Sequence, residues 1–177
     1  MIFIPGPLIA LLTFPGVIAH EVAHRFFADL ARVPVYQVCY FRVGNPAGYV
    51  VHGAANGLKS AFLISVGPLI VNTVLCSLIT FSAVFPLFVL DAKALSFIYM
   101  ILIWVGFSIG MHAFPSNQDM KGLIDEIRRT KKSLIPVLAA RAFAGLFAIA
   151  NVLRIVWFDA IYAVGVSMLL PWLFGLY

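Results

Sequence analysis

Charge is what this sequence has least of. Only 11% of its 177 residues are Asp, Glu, Lys or Arg, against about 25% in soluble domains. Acidic residues number seven and histidines four. A chain this poor in charge cannot cover a soluble fold with polar surface, so a soluble domain is excluded. Cysteine is scarce too. Cys39 and Cys76 stand far apart with no CxxC pair, which leaves them as small buried hydrophobes. The stretch Met1-Ile2-Phe3-Ile4-Pro5 lacks a basic n-region and a clear small-residue cleavage site, so a removable signal peptide is not expected. The net charge of +5 is not gathered into a soluble basic domain, and nucleic acid is not an expected partner.

What is present is apolar: 63% hydrophobic residues and a mean hydropathy of +1.03. The chain reads as an all-α, multi-pass integral membrane protein. At roughly 20 residues per crossing there is room for about five transmembrane helices in one membrane-embedded domain over 1–177. Its core is expected over 5–125, with additional helices in 134–177.

The first span is expected over 7–30, with Pro15-Gly16 kinking it midway. From 33 to 52 the residues become β-formers around Gly44-Asn45-Pro46-Ala47-Gly48, a turn sequence, so a short membrane-associated β-hairpin is expected near 35–52. Irregular backbone at membrane depth must be shielded by protein or line a wet cavity. The run over 58–90 is too long for one straight crossing. It carries Gly67-Pro68, and helix is expected to about Phe81. Asn72 follows as either a helix–helix hydrogen bond or a site residue. A third span, 94–114, stops at Pro115, where helix is disfavoured. The charged stretch 121–132 is a solvated loop or short surface helix, and apolar spans resume over 134–158 and 160–177.

Orientation follows from that stretch. Lys121, Arg128, Arg129, Lys131 and Lys132 place it in the cytoplasm. Alternating the spans then brings the end of the first span, the hairpin and Asp119 to the cytoplasmic side, and sends Asp91 and Asp159 to the other. The expected location is a prokaryotic cell membrane with the site toward the cytoplasm.

The chemistry centres on His20-Glu21-Val22-Ala23-His24. Residues four apart share a helix face, so both imidazoles can reach one ion. HExxH supplies two neutral ligands for Zn²⁺ and a carboxylate, Glu21, to take a proton from water. A catalytic zinc usually takes a third protein ligand. Asp29 points about 140° away from His24 on the same helix, and Asp125 and Glu126 sit among basic residues. Asp119, just past a helix break, leads as the third ligand, with His112 as its rival or as a donor to a ligand. Glu21 would act as general base and then pass the proton to a leaving amine. Asn72 or His112 could steady an oxyanion. The exposed hairpin edge could hold a substrate extended, with Gly44, Asn45 and Gly48 as candidate substrate contacts. Snorkelling or pairing with lipid phosphates is the expected role of Arg25 and Arg154, and Arg141 falls at the interface.

In order and spacing, these segments resemble the site-2 protease family of intramembrane zinc metalloproteases. The resemblance rests on His20 to His24, then the hairpin, then Gly67-Pro68 with Asn72, then Pro115 with Asp119, and covers roughly 5–125. It differs in having Met120 where Gly commonly follows the Asp, His112 in place of an Asn, and Asn72 one residue further from Gly67. The resemblance implies a minimal, catalytic-core member that uses Zn²⁺. It further implies cleavage of a membrane-spanning or membrane-associated protein near its cytoplasmic end. The rival readings are another membrane zinc hydrolase, a metal-binding scaffold or transporter without protease activity, and a relative that binds metal but no longer cuts.

Overall fold

The computed structural model describes residues 5–90, 92–130 and 134–175. Asp91, Lys131 and Lys132, which entered the sequence reading, lie outside them. In chain order the helices are α1 (Gly6–Leu12), α2 (Phe14–Leu30), α3 (Leu58–Val84), α4 (Ser96–Met111), α5 (Asn117–Arg129), α6 (Leu134–Leu153) and α7 (Phe158–Leu173). A wide helical turn, Phe85–Val89, extends α3, and a 3-10 turn, Arg154–Val156, ends α6. β1 (Val35–Cys39) and β2 (Tyr49–His52) pair antiparallel, with a register shift between Val35 and Gln37. The chain is mostly helical with this one small sheet among the described residues.

The first expected span is broken elsewhere than at Pro15-Gly16. α1 and α2 meet at Thr13, bent by 89°. Pro15 falls in the first turn of α2, where its missing N–H would have no partner anyway, so it starts a helix instead of kinking one. Carbonyls beside the break gain side-chain donors. Thr13 Oγ1 donates to the Ile9 carbonyl at 2.6 Å and Trp104 Nε1 to that of Leu12 at 3.0 Å.

α3 and α4 pack along one another, α2 lies against both, and α7 packs on α3 and α4. Close approach needs small residues. A Cβ on Gly16 would overlap the Ser108 backbone carbonyl, and one on Gly67 would overlap the Phe27 ring. Polar residues inside this apolar bundle are satisfied by their own helices: Thr80 and Ser108 each donate to the carbonyl four residues earlier, both at 2.6 Å. A second packed region joins the first half of α3 to α5 and α6 through Leu58, Val66, Leu123, Ile127 and Phe147. This region seats α5, and with it Asp119, against α3.

Two helices are long and apolar enough to cross a membrane, Leu58–Leu87 and Pro136–Val156, and a third qualifies if the bent pair counts as one span. α4 and α7 have 16 residues each. At about 24 Å they are shorter than a hydrocarbon core of about 30 Å. Five full spans are therefore not supported.

The alternation of spans also misplaces Asp159, which lies at the Asp119 end and not opposite it. α6 runs back along α5, and Asn151 Nδ2 donates to Asn117 Oδ1 at 3.1 Å. The α5–α6 pair thus begins and ends near Phe114, and α7 departs from there. Arg154 consequently faces inward and does not snorkel.

Gly16→Ala is expected to destabilise by about 1–3 kcal/mol, because a backbone carbonyl cannot give way. Gly145→Ala, with nothing within 4 Å of its Cβ position, should be neutral or slightly stabilising. Melting temperatures of the two variants in one detergent check this contrast.

Candidate metal centre

α2 turns His20, Glu21 and His24 toward the protein, and all are buried. Each imidazole is fixed from behind. His20 Nδ1 donates to the His112 carbonyl at 2.7 Å, and His24 Nδ1 to the Ile64 carbonyl at 2.9 Å. Both carbonyls are free for a reason written in the sequence. Inside α3, the Ile64 carbonyl would accept from the amide four residues on, but that residue is Pro68, which has no N–H. The His112 carbonyl follows the last turn of α4, just before Pro115 ends the helix. Asn72 Nδ2 donates to the same oxygen at 2.8 Å.

A carbonyl cannot donate, so in the neutral rings each Nδ1 carries the proton and each Nε2 presents a lone pair. The two Nε2 atoms lie 3.0 Å apart. His24 Nε2 is 3.3 Å from Asp119 Oδ1, and His20 Nε2 is 3.5 Å from Asp119 Oδ2. Bonds of 2.0–2.1 Å to a tetrahedral ion put ligand atoms about 3.3 Å apart, so the spacing fits. Electron-rich atoms crowded like this repel one another unless a cation or a shared proton lies between them. Among the described residues, His20, His24 and Asp119 form the group able to hold a metal ion.

Asp119 arrives on the first turn of α5 through a local motif. Ser116 caps the helix, its amide donating to Asp119 Oδ2 at 2.7 Å while the Asp119 amide donates to Ser116 Oγ at 3.3 Å. Ser65 Oγ on α3 holds the Asp119 carbonyl at 2.8 Å.

Glu21 lines the same cavity, of about 720 Å³, as the histidines and Asp119. The hairpin loop lies over it. A Cβ on Gly48 would come 2.6 Å from Glu21 Cγ, so only glycine lets the loop sit this close. Gly44 and Asn45 also line the cavity.

The alternatives left open for His112 and Asn72 narrow. His112 does not join the ligand group. Thr13 Oγ1 gives its proton to Ile9, so it accepts from His112 Nε2–H at 2.8 Å. That proton is therefore not available to an oxyanion. Asn72 is fully buried, and its amide is engaged by the His112 carbonyl. It shares with His20 the carbonyl that fixes that ring, the helix–helix hydrogen bond among its expected roles. The sequence reading also missed Arg154, which lines the cavity, and the part played by Pro68. The spacing of Ile64 to Pro68 and the Ser116-x-x-Asp119 pattern were the available signals.

Compared with family models, with curated proteins and with solved structures, the chain matches none. The likeness to a family rests on the motifs themselves.

The purified chain is expected to hold about one zinc ion, and His20→Ala or Asp119→Ala to lose it, as read by metal analysis after dialysis. Pro68→Ala restores an amide that competes for the Ile64 carbonyl. It should weaken zinc binding about 10-fold or more without lowering the melting temperature.

Proposed function

We propose that the chain is an intramembrane zinc metalloprotease of the site-2 protease type, acting on membrane-spanning or membrane-associated proteins near the cytoplasmic face. One observation carries this reading: two imidazoles with their Nδ1 protons tied off meet a carboxylate from a separate helix, beside a buried glutamate. A purely structural site has no use for Glu21.

Zinc bound here would make water a nucleophile near neutral pH and polarise a carbonyl. Glu21 takes the proton from the attacking water and delivers it to the leaving amine. A peptide bond in a helix is shielded, so the substrate must unwind. β2 lines the cavity, which suits an extended segment laid beside it by strand addition. The exposed Lys121, Arg128 and Arg129 on α5 favour a cytoplasmic position for this end.

Glu21→Gln tests the assignment in a membrane-embedded reporter assay. Zinc content should stay at the wild-type level while cleavage falls by about 10²-fold or more. Unchanged turnover would remove Glu21 as base. A wild-type chain that binds zinc but cuts nothing would favour the scaffold or transporter reading.

A further inference from the structure

The motifs behind the proposed function end near residue 125. The C-terminal helices are nevertheless built into the site. The break that delivers Asp119 runs through Phe114, Pro115 and Ser116, where α4 has ended and α5 has not begun. Carbonyls in such a gap have no helical partner. The end of α6 and the turn after it supply partners for two of them. Arg154 Nη2 donates to the Phe114 carbonyl at 3.0 Å, and Asn151 Nδ2 to the Pro115 carbonyl at 3.2 Å. The Phe114 ring is held from the same side by Phe158, with centroids 5.2 Å apart, and by Tyr162 at 4.7 Å.

Arg154 is itself fixed. Its Nε lies 2.8 Å from Asp159 Oδ2, an ion pair whose angle is too poor for a hydrogen bond. The contact depends on a sharp reversal: Trp157 adopts a left-handed conformation, φ 62°, between the 3-10 turn and α7. That reversal brings residue 159 back onto residue 154. A guanidinium suits the task, because its fork can hold a carboxylate and a carbonyl at once.

We infer that Arg154, held by Asp159, is a positioning residue for the Asp119 carboxylate: it clamps the Phe114–Ser116 break and so fixes where α5 starts. The inference rests on the metal reading above.

The test uses the full chain in detergent, titrated with zinc and, separately, with cobalt, whose absorption bands report ligand geometry. The variants are Arg154→Met with Asp159→Leu, which removes the pair without leaving a buried charge, and Arg154→Lys. Arg141→Met, an exposed position on α6, is the control. The double variant should bind zinc about 10- to 100-fold more weakly and show altered cobalt bands. Amide exchange at 116–120 should rise in the metal-free protein. Arg154→Lys should recover part of each effect, and Arg141→Met should match wild type. Unchanged affinity, bands and exchange in the double variant would overturn the inference while leaving the metal site standing. Weaker binding with unaltered bands and unchanged exchange would mark a merely structural role and also overturn it. A wild-type chain that takes up neither metal would overturn the metal reading, and this inference with it.

Discussion

Two backbone carbonyls hold this site in place. Each has lost the amide that a continuous helix would have given it, one to a proline and one to a helix end, and each instead accepts from a histidine. The consequence is more than anchoring. Fixing the proton on Nδ1 turns each Nε2 into a lone pair aimed at a common point. Helix breaks are usually read as places where a bundle loses stability. Here a proline inside α3 and the end of α4 leave free the acceptors that orient the two imidazoles.

This organisation explains why so many polar groups tolerate an apolar bundle. A buried polar atom without a partner costs on the order of 1–3 kcal/mol. His20, His24 and Thr13 avoid most of that cost because each is bonded to backbone, to another member of the group or to both, and Asn72 does so through Nδ2, while its Oδ1 has no partner among the described residues. Thr13 and His112 tie the bend between α1 and α2 to the end of α4, and Asn72 ties α3 to the same carbonyl that His20 uses. The three helices therefore meet at one oxygen. A shift of any of them would be felt by the ligand face.

How much of this was legible beforehand depends on the range of the interaction. Local signals read well. HExxH put two imidazoles on one face, the β-formers around Gly44 to Gly48 gave a hairpin, and Pro115 ended a helix before Asp119. Features set by tertiary partners did not. The break falls at Thr13, whose hydroxyl is held by Ile9 one turn earlier and by His112 at the end of α4, and composition does not reveal that distant partner. Asp159 was assigned to the wrong end because counting spans takes no account of α6 running back along α5, which returns the chain to Phe114. Arg154 looked like a lipid-facing cation for the same reason. Asn72 was left undecided between a packing role and a site role, and it serves the site by bracing another helix.

The ligand face is also strained electrostatically, and the fold bears the strain. Two lone pairs at 3.0 Å, with carboxylate oxygens 3.3 and 3.5 Å from them, would separate if the chain were free to let them. They do not separate because each is restrained by bonds pointing away from the centre: the His112 and Ile64 carbonyls behind the rings, and the Ser116 amide and Ser65 hydroxyl on Asp119. Those restraints come from α3, α4 and α5, the elements that the two packed regions hold together. Repulsion among ligands arranged in advance is relieved when a cation arrives, so binding need not order the site as well as fill it. The same restraint bears on selectivity. A rigid trio of two nitrogens and one carboxylate, with donors about 3.0–3.5 Å apart, suits a small ion at 2.0–2.1 Å such as zinc better than calcium, which prefers more oxygen ligands at longer distances.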